Sequence, residues 1–119
     1  MKKLLIISLA LITSVASLYA GSVNLAWDPS PGTNVIAYYS IYWVRGVNTT
    51  FATNNTNAAG KLSVTNATTC TVSNLFSGPW TFVATATDIY NLESDNSTSV
   101  WTNIPVAGVT GLRVNSVTP

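Results

Sequence analysis

The stretch Tyr38-Tyr39-Ser40-Ile41-Tyr42-Trp43-Val44-Arg45-Gly46 decides the fold class. Tyr39, Ile41 and Trp43 fall on one side of an extended chain, and Tyr38, Ser40, Tyr42 and Val44 on the other, because successive side chains of a strand point to opposite faces. A period of two excludes an amphipathic helix, which needs apolar residues three and four apart. The same alternation recurs on either side. Upstream, Val23, Leu25 and Trp27 alternate with Asn24 and Ala26 until Asp28-Pro29-Ser30-Pro31-Gly32, where two prolines cannot donate to a ladder and the strand must stop. Downstream the inward set continues as Leu62 and Val64, then Cys70 and Val72 leading to Leu75, then Trp80, Phe82, Ala84 and Ala86, then Val100, Thr102 and Ile104. Residues 48–59 are rich in Asn, Thr and Ala, with Phe51 as the one large apolar residue, and read as a loop or a poorly paired edge strand. About seven short strands at this spacing predict an all-β fold, an antiparallel β-sandwich.

Composition narrows the chemistry. The chain has 119 residues, 47% hydrophobic and 8% charged, with no histidine and one cysteine. Without histidine there is no imidazole base, no imidazole metal ligand and no Ser-His or Cys-His pair. One cysteine excludes an internal disulfide and a thiolate zinc cage. Residues 1–20 carry Lys2 and Lys3 ahead of an apolar run that ends in small residues, the pattern of a secretory signal peptide. The uncharged stretch 4–20, about 17 residues, sits at the lower edge of a bilayer span, and no stop-transfer cluster follows it. Cleavage after Ala20 is preferred, with Ala16 as the competing site. The mature chain then keeps Arg45, Lys61 and Arg113 against Asp28, Asp88, Glu93 and Asp95, a net charge of −1 (3 minus 4). That balance offers no basic stripe for nucleic acid, and no membrane span is expected after cleavage. The expected location is therefore secreted, extracellular or periplasmic.

The ordered set Val23-Asn24-Leu25-Ala26-Trp27-Asp28-Pro29-Ser30-Pro31, Tyr39-Ser40-Ile41-Tyr42-Trp43, Thr71-Val72-Ser73-Asn74-Leu75 and Thr85-Ala86-Thr87-Asp88 with Glu93-Ser94-Asp95 resembles a bacterial-type fibronectin type III domain over roughly residues 22–104. The resemblance implies an immunoglobulin-like sandwich in which Trp27-Asp28-Pro29 ends strand B, residues 39–43 lie in strand C and residues 71–75 close strand E. It divides the chain into a signal peptide (1–20), a fibronectin type III-like domain (21–105) and a strand-like C-terminal extension (106–119). Three departures accompany it. Trp80 stands where the family places a corner tyrosine before strand F, one residue is inserted between Pro31 and Tyr39, and strand A is missing from its usual place. The segment Val109-Thr110-Gly111-Leu112-Arg113-Val114-Asn115-Ser116-Val117-Thr118-Pro119 resembles strand A of a following repeat. It reads either as the start of a second domain or as a strand that fills the vacant A position, in its own chain or in a neighbour, which gives self-association through residues 109–117.

In the resembled fold strands C, F and G share a sheet. Tyr38, Ser40 and Tyr42, then Thr81, Val83 and Thr85, then Ser99, Trp101 and Asn103 should form its outer face. Tyr38, Tyr42, Thr81, Thr85 and Trp101 are the candidate ligand-binding residues, with Tyr42 and Trp101 flanking strand F about 10 Å apart. Rings among hydroxyls suit stacking on sugars or packing against a protein, although ordinary β-propensity alone places such residues on strands. Asp88, Glu93 and Asp95 share one loop and carry oxygens that suit calcium, but their spacing is not an EF-hand's and turn chemistry explains them better. Four N-x-S/T triplets, at Asn48, Asn54, Asn66 and Asn96, are no more than so much Asn, Ser and Thr produces by chance. Cys70 is expected as a buried, inert thiol, Trp27 and Trp43 as core residues. No RGD tripeptide occurs. Carboxylates in turns of a small domain offer no predicted cleft, so no enzyme activity, cofactor or metal is expected. The expected function is a non-enzymatic recognition or adhesion module for a protein or carbohydrate at a cell surface, acting through a sheet face or through the loops at 28–34 and 88–96. The alternative is a structural or assembly subunit, surface or virion-associated, linked through its C-terminal strand.

Overall fold

A computed structural model describes residues 21–32 and 35–119; the expected signal peptide lies outside the described residues. Six strands are found among them: β1 Gly21–Ala26, β2 Ile36–Arg45, β3 Gly60–Val64, β4 Thr69–Leu75, β5 Gly78–Asp88 and β6 Val100–Ile104. They form two antiparallel sheets, β1-β4 and β3-β2-β5-β6. No α-helix occurs among the described residues, only a short 3-10 turn at Thr53–Asn55 inside the loop that joins β2 to β3. Residues 48–59 are thus a loop, and pairing resumes at Gly60, opposite Trp43. A side chain at Gly60 would fall on the Trp43 indole, so the missing Cβ is what lets that ring lie across β3.

The inward side chains of the two sheets meet as the alternation requires. Val72 and Leu75 of β4 pack against Ile41 of β2, Trp80 and Phe82 of β5 and Ile104 of β6, all buried. Val23, Leu25, Trp27, Trp43, Cys70 and Ala84 pack around that centre and are partly buried. Burying this apolar surface stabilises the fold by about 25 cal/mol per Å² removed from water. The Cys70 thiol is free, and its burial raises its pKa above the ordinary value, which leaves it a poor nucleophile.

Two local features settle how the strands are set. Ile36 pairs with Asp88 and Tyr38 with Thr87, so two residues of β2 oppose one of β5. This bulge at Ala37 shifts the register by one residue, and beyond it Ile41 and Trp43 face inward. At the entrance to β5 the Trp80 indole N–H donates to the Phe76 carbonyl at 2.9 Å, and the Arg45 guanidinium lies 5.3 Å from the centre of the same ring. The turn between β4 and β5 is therefore pinned to the core by a hydrogen bond and a cation–π contact.

After Ile104 the chain continues through residues 105–119 without strand pairing, and every one of them is exposed. The strand-like extension expected there forms no strand among the described residues, and Gly111 within it has a left-handed φ of 70.

Candidate functional site

The outer face of the four-stranded sheet is built by β2, β3, β5 and β6. Its rows run Lys61–Tyr42–Val83, Ser63–Ser40–Thr85 and Val44–Thr81–Trp101. The ladder puts these side chains on one face, but that face is not open. Tyr42 is 8% exposed, Thr85 3% and Thr81 0%. Tyr38 is half-buried. Of the aromatic residues proposed for stacking, Trp101 on the edge strand β6 is exposed at 42% and Tyr38 is partly open. Trp101 pairs with Thr81, one row away from Tyr42, so the two rings do not face a shared groove across a single rung.

Two loops provide the cover. Within residues 46–59 the Thr81 hydroxyl donates to the Gly46 carbonyl at 2.7 Å, and the Thr49 N–H donates back to Thr81 Oγ1 at 3.1 Å. From the other side Glu93 reaches over β5, and its Oε2 accepts hydroxyl protons from both Tyr42 and Thr85 at 2.6 Å. The loops meet at a reciprocal amide pair: Asn55 Nδ2 donates to Asn96 Oδ1 at 2.9 Å, and Asn96 Nδ2 donates to Asn55 Oδ1 at 2.8 Å. Polar strand residues on this face thus hold a roof of the chain's own loops. The amide of Asn96, one of the N-x-S/T asparagines, is occupied in that pair.

The electrostatics follow from the same contacts. The Thr85 and Tyr42 hydroxyls hold the Glu93 carboxyl below its ordinary pKa, Thr85 contributing most. Burial, reinforced by the neighbouring carboxylate, pushes the Tyr42 phenol up. The Lys61 ammonium lies 5.4 Å from the Tyr42 ring centre. Tyr42 therefore stays neutral and donating, Glu93 charged and accepting, and the arrangement is a closed polar clamp.

The acidic residues at 88–95 divide their work. Asp88 is buried, and its Oδ1 accepts the backbone N–H groups of Tyr90 and Leu92 at 2.9 and 3.0 Å. Glu93 belongs to the clamp. Among the described residues no group of three potential metal ligands forms. Asp88 instead ties residues 88–92 into a tight turn, closed by Asn91 N–H to the Asp88 carbonyl with Asn91 at φ 65, a backbone region that asparagine tolerates better than most.

That turn projects Ile89, Tyr90 and Leu92 into solvent, with Tyr90 75% exposed. Val35 lies beside them, its carbonyl accepting the Ile89 N–H at 3.2 Å. Four large exposed side chains are thus carried by this turn and by the residue bonded to it. Sequence reasoning named the loop at 88–96 but not this tip; the signal was the run Ile89-Tyr90-Asn91-Leu92 in a turn, where apolar residues find no core.

Fold and geometry together define a small all-β protein of two antiparallel sheets with one covered sheet face and one apolar loop tip. No family model matches the chain, and neither curated proteins nor solved structures give a significant match. Among the described residues no helix is long and apolar enough to cross a membrane.

Proposed function

We propose that the chain is a secreted, non-enzymatic recognition module of the fibronectin type III kind, which binds a protein at a cell surface through the tip formed by Val35, Ile89, Tyr90 and Leu92. The observation that carries the reading is that tip: large exposed side chains on a turn whose backbone is held by the buried Asp88 carboxylate. A pre-ordered apolar surface loses little conformational freedom on binding, and aromatic anchors of this kind dominate protein interfaces. The fibronectin-like identity is supported by the strand order, since β2, β5 and β6 share one sheet and β1 and β4 the other, as strands C, F, G and B, E do in such sandwiches. The Trp80–Phe76 hydrogen bond supplies the corner contact that a tyrosine makes there in relatives. Export is supported by the leader pattern of residues 1–20. Against catalysis, the chain has no histidine, and Asp88 and Glu93 already hold backbone and hydroxyl donors.

The triple variant Ile89→Ser, Tyr90→Ser, Leu92→Ser tests the reading in a pull-down against the cell envelope and extracellular polymers. Capture of envelope protein should fall at least tenfold with the circular dichroism spectrum unchanged, whereas Trp101→Ala should leave capture intact. Loss of capture with Trp101→Ala alone, or retention of purified glycans in place of protein, would move the site to the sheet edge and the ligand to carbohydrate.

The assembly reading has its own support. In residues 109–117 the side chains of Val109, Leu112, Val114 and Val117 are 78–91% exposed.

A further inference from the structure

Strand β1 pairs with β4 on one side, and among the described residues nothing pairs with its other side. Beside that free edge the two sheets gape. A cavity of about 310 Å³ opens between Leu25 and Trp27 on one sheet and Ser97, Thr98 and Val100 on the other, with Ile41, Phe82 and Ala84 at its floor. The Trp27 indole N–H at this cavity is buried and has no acceptor among the described residues. A buried donor left without a partner costs about 1–3 kcal/mol, and an open strand edge invites another strand.

The geometry points to one occupant: residues 109–117 of a second copy of this chain, added antiparallel to β1, with Leu112 and Val114 entering the cavity. The proposal rests on the assembly reading and specifies its contact. The segment pairs with no strand among the described residues, Gly111 holds a left-handed φ of 70 that must open for pairing, and in an added strand alternation would put Leu112 and Val114 on one face with Arg113 on the other. Added as a strand, it would cover Leu25 and Trp27 and bring backbone carbonyls to the β1 edge and to the Trp27 indole.

Chain length rules out the chain's own segment in that orientation. Ile104 lies over Gly21, at the start of β1, whereas an antiparallel strand must enter at the Ala26 end. Six residues separate those ends inclusively, about 17 Å of strand at about 3.3 Å per residue. The connection from Ile104 to Val109 holds four residues and reaches at most about 18 Å. Running back along β1 would consume all of it and leave nothing for the two reversals required. A neighbour's segment meets no such limit. Donor segment and acceptor edge are different surfaces, so the contact is heterologous and builds open chains or rings.

Sedimentation velocity over a concentration series tests this on the secreted chain, beside the variant Leu112→Asp, Val114→Asp and the control Arg113→Gln. The expected result is concentration-dependent oligomers for wild type and control, association at least tenfold weaker for the double variant, and dissociation of wild-type oligomers by a synthetic peptide of residues 105–119, with a shift in tryptophan fluorescence as it binds. Oligomers that persist in the double variant would overturn strand exchange while leaving the assembly reading standing. A wild-type chain that stays monomeric throughout and does not bind the peptide would overturn both.

Discussion

At Glu93 a single carboxylate oxygen takes the hydroxyl protons of Tyr42 and Thr85, and this is what holds its pKa below the ordinary glutamate value. The folded chain therefore releases this proton more readily than the unfolded chain, whose glutamate titrates near pH 4.3. A lowered folded pKa gives stability that is complete above the unfolded value and is lost as pH falls through the folded one. Wild type should accordingly lose stability from about pH 5 downward. Glu93→Gln should be less stable than wild type at pH 7, and the difference should shrink steadily toward pH 3. Urea midpoints measured at half-unit steps of pH check this, and a gap that stays constant over that range would show that Glu93 does not carry the effect. Trp80 shows a different kind of legibility. Its place in the core follows from alternation with Phe82, whereas its bond to the Phe76 carbonyl depends on the turn geometry and emerges only from coordinates.

Between elements, alternation fixed which side of a sheet each residue takes but not what lies above it. Ile41, Val72, Leu75, Phe82 and Ile104 were readable as inward because an apolar side chain at every second position has only one sheet face to share. The burial of Tyr42, Thr81 and Thr85 was not readable. Over that face the loops are joined by the Asn55–Asn96 amide pair, which links residues 41 positions apart with no local pattern to announce it, and one of the loops has an Asn and Thr content that resembles any solvated segment. The roof makes its own prediction. Asn55→Ala with Asn96→Ala should loosen both loops and expose the phenol of Tyr42, so that its nitration by tetranitromethane quickens several-fold. The double change should cost no more than about 1 kcal/mol, since both amides are exposed and water can replace their bonds. Equal nitration rates in variant and wild type would mean that the loops stay down without the clasp.

In the whole molecule a strongly paired centre stands against weakly held margins. β2 and β5 are the only strands among the described residues with a paired neighbour on each side, and they carry Ile41, Trp80 and Phe82. Among the described residues β1 is paired on one side only, and residues 105–119 join no strand. The same layout separates the parts: the β2–β5 centre carries the buried core, the tip at 88–92 is the surface proposed for a partner, and the β1 edge is the seat proposed for a strand. The order of these margins was partly visible in the sequence, where the departure at strand A and the strand-like tail both stand out. The direction in which the tail leaves the domain, set by Ile104 lying over Gly21, was not.

Residue-resolved amide hydrogen exchange, followed by NMR on dilute protein, tests the two-sheet architecture most directly. The slowest exchange should fall on the ladder amides of β2 and β5, with intermediate rates in β4 and β6 and near-random-coil rates over residues 105–119. Ladder amides of β2 and β5 that exchange as fast as the C-terminal segment would contradict the fold and everything built on it.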